Sequence, residues 1–145
     1  MNKTKLSIAM MSLALPGLTV ADELLGMQEN PETWVMSAGN YANTRYSQLD
    51  EINLENVKDL EMAWSFSTGV LRGHEGNSLI IDDVMYVHTP YPNIVYALDL
   101  SNDGAIKWKY EPKQNYSETV PVMCCDVVNR GLSYGDGKIF LNQAD

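Results

Sequence analysis

Apolar positions change their period along this chain. Residues 6–15 (LSIAMMSLAL) are almost continuously apolar. Over residues 54–60, Leu54, Val57 and Leu60 recur on one face behind Asn53, which predicts a short helix capped by that asparagine. From residue 62 the period falls to two. Met62, Trp64 and Phe66 alternate with Ala63 and Ser65, and short β-type runs follow at 79–81, 84–88, 94–98, 106–110, 132–134 and 138–142. Asp82-Asp83, Pro92-Asn93, Asp103-Gly104 and Gly135-Asp136-Gly137 separate these runs, as expected where tight turns need residues that tolerate left-handed backbone. Gly39-Asn40 and Asn43 mark earlier turns, and residues 22–31 (DELLGMQENP) read as a polar lead-in. The predicted fold class is all-β with one short helix near the N-terminus.

The strand pattern echoes itself. SLIIDDVMYVHT (78–89) lines up with GLSYGDGKIFLN (131–142) at an offset of roughly 50 residues, a spacing typical of propeller blades. Both copies are an apolar run, a tight acidic turn and an alternating strand. Between them, VYALDLSNDGAIKWKYEP (95–112) adds a strand ending in Ala-Leu-Asp, a turn, and a strand carrying Trp108. In a stacked array that tryptophan would pack against the neighbouring blade. Propellers use about 4–8 four-stranded blades, and this sequence supplies little more than one. A lone blade would leave unpaired edges and a half-covered apolar face. The expected architecture is therefore a partial β-propeller in a truncated chain, with a small self-contained β domain as the competing reading.

The first residues read as an address. Lys3 and Lys5 precede the apolar run, Pro16 and Gly17 break it, and Thr19-Val20-Ala21 offers small residues for cleavage. This is the pattern of a secretory signal peptide over residues 1–21, leaving a mature chain of residues 22–145. The run is too short to span a bilayer, which needs about 20 residues. The chain of 145 residues has the length of one domain, and 45% hydrophobic with 20% charged residues is a globular composition. Its net charge is −9, and the leader carries two lysines but no acid, so the mature chain is more negative still. With no cluster of Lys and Arg, it repels phosphate backbones, which argues against nucleic-acid binding. Export also places it in an oxidising compartment.

Against that background the cysteines stand out. Cys124 and Cys125 are adjacent in PVMCCDVVNRG, and the chain has no others. They could be idle thiols, a metal site, or a bond between neighbours. Zinc sites usually separate paired cysteines by about two or more residues; here there is no spacer, and His74 and His88 lie far upstream. Idle thiols behave as small hydrophobes when buried, but neighbouring exported thiols tend to oxidise. A bond is geometrically awkward, because successive Cα atoms lie about 3.8 Å apart and ordinary disulfides prefer roughly 5.5–6 Å. So small a loop adds little global stability, and a strained, rigid element suits a wall against a planar ligand better than a staple. Arg130 adds a fixed fork of donors suited to carboxylates and quinone oxygens. Glu75, in RGHEG (72–76), could share a proton with a bound polar group. Taken singly, each of the two charges also reads as a solvated surface group.

MCCDVVNRGLSY, VLRGHEG, HTPYPNIVYALDL and NTRYSQLDEINLENVKDLEMAWSFSTG together resemble the N-terminal part of a pyrroloquinoline-quinone (PQQ) dependent methanol dehydrogenase large subunit, over residues 34–145. The resemblance implies an eight-bladed β-propeller with PQQ near its axis. It implies that Cys124 and Cys125 form a vicinal disulfide on one face of the PQQ rings, that Arg130 approaches the quinone oxygens, and that Glu75 hydrogen-bonds the cofactor. A calcium or lanthanide ion is implied too, but its ligands and the catalytic base belong to later blades, so no metal or catalytic residue is assigned in this chain. The complete protein would be a periplasmic enzyme that oxidises a primary alcohol to an aldehyde. It would pass the electrons to a c-type cytochrome, as a homodimer with or without a small subunit, and this stretch alone would be inactive. RGLSYGDGKIFLN (130–142) runs into its strand without insertion, which resembles the lanthanide-dependent branch. The alternative is a non-catalytic exported β-propeller scaffold or assembly protein, which would have no use for Cys-Cys, Arg130 or RGHEG.

Overall fold

Strand pairs joined by tight turns make up most of the ordered architecture. The computed structural model describes residues 19–144, with backbone alone for 19–22; most of the proposed leader lies outside the described residues. Strands β1 (Leu79–Ile81), β2 (Val84–His88), β3 (Val95–Asp99) and β4 (Ala105–Tyr110) form an antiparallel meander in the order β1-β2-β3-β4. Strands β5 (Leu132–Gly135) and β6 (Lys138–Leu141) form a separate hairpin. These strands fall on the predicted runs to within about a residue at each end. The turns explain the agreement. Asp82, Asp83, Asp103 and Asp136 all adopt positive φ, a backbone that aspartate tolerates better than most residues.

Pairing register sorts the apolar residues onto two faces. Leu79 opposes Tyr86, which opposes Ala97, and His88 opposes Val95. On this face Leu79, Ile81 and Val95 join Val35 and Leu132 in a core to which Tyr134, Ile139 and Leu141 of the second hairpin contribute. The other face carries Ile94, Tyr96 and Leu98, packed by Trp64, Phe66, Val70, Met85 and Val87. β1 and β5 lie in contact, and Asn77 and Gly131 form a parallel bridge at their entrances. The two echoing sequences are thus neighbouring hairpins set side by side, as adjacent blades are. Trp108 stacks near Tyr86, ring centroids 5.8 Å apart, and with Tyr110 faces Ile139 and Leu141 of the second hairpin across a cavity.

Three local expectations need correction. The predicted helix over 54–60 is only a 3₁₀ turn at Val57–Asp59, and Leu54, Val57 and Leu60 are exposed. A single apolar stripe with nothing to pack on does not sustain so short a helix. Helix α1 (Thr19–Met27) instead runs from the last residues of the proposed leader into the polar lead-in, and its Leu24 and Met27 pack on the first core. Glu23 fastens it to the second hairpin by accepting from the Tyr134 hydroxyl at 3.1 Å and the Asp136 amide at 3.3 Å. Residues 62–66 keep their alternation only in part, with Trp64 and Phe66 half-buried but Met62 exposed, and they belong to no ladder, because no strand lies alongside them among the described residues.

Candidate functional site

Two loops meet at one edge of the sheet, the first entering β1 and the second entering β5. The first is braced from within. Tyr96 of β3 donates to the Thr68 carbonyl at 3.0 Å, the Thr68 hydroxyl lies 3.1 Å from His74 Nε2, and His74 Nδ1 lies 2.8 Å from the Arg72 carbonyl. Glu75 follows in this fixed turn. The second loop leaves helix α2 (Tyr116–Thr119), whose start is capped by the Asn115 side chain accepting from the Ser117 amide at 3.2 Å. Val127 is buried, and its carbonyl accepts from the Tyr91 amide at 2.8 Å. Asp126 takes a positive φ of 61°, and Cys125 bridges Val127, so the chain doubles back just after the cysteines. Anchored on both sides, the loop holds Cys124 and Cys125 exposed at its tip.

The four residues singled out in the sequence come together. The Arg130 guanidinium lies 3.4 Å from the Glu75 carboxylate, and Arg72 lies 3.5 Å from Asp126, so two ion pairs cross between the loops. The Arg130 side chain is 80% exposed and that of Glu75 50%. Cys124 and Cys125 are thiols here, with Sγ atoms 2.7 Å apart and one donating to the other. The Cys125 thiol titrates above the ordinary cysteine value. Its hydrogen bond to Cys124 and the charge on that partner are the main causes; Arg130 pulls the opposite way, and Glu75 adds to the rise. The Cys125 sulfur therefore feels both charged groups.

Sequence reasoning missed what lies beneath. His88, at the end of β2, is buried with Nε2 3.0 Å from the Asn129 carbonyl. Burial lowers its pKa, the Asn129 hydrogen bond opposes that, and the charge of His74 lowers it further. Asn129 donates to Asn93 Oδ1 at 2.8 Å and to the Asn142 carbonyl at 3.0 Å, and its own Oδ1 accepts from the Gly131 amide. A histidine in an apolar run and an asparagine in a loop carry no signal of this pairing along the chain. Beside Arg130 opens a cavity of about 330 Å³ lined by Met123, Asn129, Asn142 and Gln143 among others. Chemically, the edge offers a fork of N–H donors, a carboxylate acceptor and two adjacent polarizable sulfurs. Among the described residues no cluster of three His, Cys, Asp or Glu side chains could hold a metal ion.

A family model for the PQQ glucose/ethanol/alcohol dehydrogenase β-propeller domain matches residues 34–142. The lanthanide-dependent methanol dehydrogenase of Methylorubrum extorquens is 59% identical over 135 residues, which is 93% of this chain and 22% of that protein. Methanol dehydrogenase (cytochrome c) subunit 1 of Paracoccus denitrificans is 51% identical over 119 residues, 82% of this chain and 19% of that one. A solved europium-containing methanol dehydrogenase superposes with a TM-score of 0.79 at 59% identity, covering 84% of this chain and 21% of its own. The chain spans about one fifth of the length of the curated relatives it matches. With most of its residues inside that family match and its hairpins set side by side as blades, the chain belongs to the PQQ-type glucose/ethanol/alcohol dehydrogenase β-propeller family.

Proposed function

We propose that the protein carrying this chain is a PQQ-dependent dehydrogenase that oxidises primary alcohols such as methanol to aldehydes, and that this chain supplies one wall and two polar contacts of its cofactor site. The observation that carries the reading is the meeting of Cys124, Cys125, Arg130 and Glu75 at one exposed edge, within a fold whose relatives are named alcohol dehydrogenases. Bound PQQ, a planar quinone bearing carboxylates, supplies the acceptor for the two electrons leaving the alcohol. Arg130 suits its oxygens, because a guanidinium presents donors in a planar fork, and a 3.4 Å ion pair at the surface yields easily to a better partner. Glu75 accepts from, or shares a proton with, a polar group of the same ligand. Cys124 and Cys125 form the wall, joined as a vicinal disulfide once an oxidant of the exporting compartment has taken two electrons and two protons from the thiols. These residues fit the cofactor.

A calcium or lanthanide ion would draw its ligands from residues outside this chain, and the 59% identity to a lanthanide-dependent relative favours the lanthanide. The leader over residues 1–21 directs the protein to the periplasm, where a c-type cytochrome takes the electrons one at a time. A homodimer, with or without a small subunit, is the proposed assembly. The test is to express the complete reading frame, add PQQ with either calcium or a lanthanide ion, and follow alcohol-dependent reduction of a soluble dye. Bound quinone with methanol-dependent turnover supports the reading. A folded protein that takes up no PQQ with either ion would instead be the non-catalytic exported propeller.

A further inference from the structure

We infer that His88 is a positioning residue of this site: its imidazole is a wedge that sets the spacing between the loop carrying Glu75 and the loop carrying Arg130. The inference rests on the cofactor reading above. The ring ends β2 and is 6% exposed. One edge of it meets both loops. Nε2 lies 3.0 Å from the Asn129 carbonyl, and since a carbonyl only accepts, Nε2–H donates. The same edge lies against Gly76, where a Cβ would stand 1.9 Å from His88 Cε1, 2.1 Å from Nε2 and 3.2 Å from the Asn129 oxygen. Gly76 is the residue after Glu75, and Asn129 is the residue before Arg130. The imidazole acts on each charged residue through its backbone neighbour.

The rest of the neighbourhood leaves the wedge with this task. Behind it, Asn77 bridges Gly131, and Asn129 is tied to Asn93, Asn142 and the Gly131 amide. Asn93 in turn donates to Gln114 at 3.1 Å. In front of it, the loops are joined by Glu75–Arg130 and Arg72–Asp126, both half or more exposed and therefore weak constraints. A buried ring held by one hydrogen bond and one close packing contact is the rigid part of the spacing. Groups that bind a ligand productively must be held to within a fraction of an ångström, and the residues behind them do this.

Two substitutions in the complete protein separate wedge from filler. His88→Leu keeps an apolar group of similar size and removes the donor; His88→Gln keeps an N–H at the reach of Nε2. The first readout is amide hydrogen exchange without cofactor. His88→Leu speeds exchange around residues 74–77 and 129–131 together, by about tenfold, leaves β3 unmoved, and His88→Gln returns both loops close to the parent. Loops that stay protected in His88→Leu, or His88→Gln as loose as His88→Leu, overturn the inference. The second readout is PQQ titration, where His88→Leu weakens binding about tenfold through misplacement of Glu75 and Arg130 and His88→Gln recovers it. Parent affinity in His88→Leu also overturns it. If His88→Leu does not fold, Gly76→Ala reaches the same contact from the other side. Its methyl collides with the ring and loosens the same loops, and adding His88→Ala restores part of the loss; additive losses overturn the contact. A parent protein that binds no PQQ defeats the cofactor reading, while hydrogen exchange still decides the wedge.

Discussion

Arg130 and His88 lie one residue and one hydrogen bond apart, through Asn129, and behave oppositely. Arg130 is out in solvent, with one ion pair of 3.4 Å. Such a pair contributes about 1 kcal/mol or less, so Arg130→Ala should shift the urea midpoint hardly at all while weakening PQQ binding about tenfold, since a charge-assisted fork is lost. A large stability loss with unchanged PQQ affinity would make Arg130 a structural charge. His88 is the reverse. Burial holds its pKa below the ordinary 6.5, so the unfolded chain takes up a proton first as pH falls. Its contribution to stability is fully present above about pH 6.5 and is lost progressively as pH falls through the folded value. Urea midpoints at about pH 7.5 and 5.5 should therefore fall more in the parent than in His88→Gln; parallel curves would place the titration on another group. Glu75, Cys124, Cys125 and Arg130 could be singled out in the sequence because charged and thiol groups in short loops draw attention beside motifs that resemble a known family, and the fold brings the four to one edge. His88 was not, because its role depends on Gly76 and Asn129, which only the fold brings to it.

At the scale of elements, the sequence was read best where backbone chemistry decides locally. Paired aspartates and Asp-Gly steps fix the hairpin turns, and the strands between them follow from period-two alternation. It was read worst where tertiary contact decides. Leu54, Val57 and Leu60 carry a helical spacing with no surface to cover, whereas Leu24 and Met27 sit in a stretch that looked polar yet find the core. Residues 62–66 show the intermediate case: Trp64 and Phe66 turn inward as the alternation suggests, Met62 does not, and no strand pairs with the segment among the described residues. One contact of this segment is testable. Gly104 has φ +72°, and a Cβ there would stand 2.7 Å from the Trp64 ring, whereas Gly137 has φ +65° and open space. Both substitutions to alanine pay for the left-handed backbone, about 1 kcal/mol, but Gly104→Ala also displaces Trp64 and should cost about 1–3 kcal/mol more. Thermal melts of the complete protein read the difference. Equal losses would mean that Trp64 swings away freely and does not fasten the segment to the sheet.

The molecule as a whole shows a mismatch between its cores and its surface. Inside, Leu79 and Leu98 are sealed, and both faces of the β1–β4 sheet have partners. Outside, Leu71 is 100% exposed, Leu54 95% and Met62 81%, and β4, which has no strand beyond it among the described residues, exposes Ile106, Trp108 and Tyr110. Scattered apolar residues are ordinary on a surface, but an unpaired edge strand carrying three large ones is a template for association. A self-contained domain would have blunted that edge. The chain spans about a fifth of its relatives, and the edge has the character of a surface that further blades would cover. Residues 22–145 expressed alone should therefore bind a hydrophobic dye, self-associate as concentration rises, and melt without a sharp transition. Sedimentation and calorimetry would check this. A monodisperse monomer with one cooperative transition would mean that the two cores suffice by themselves, and the reading of this chain as part of a larger propeller would give way to that of an independent β domain.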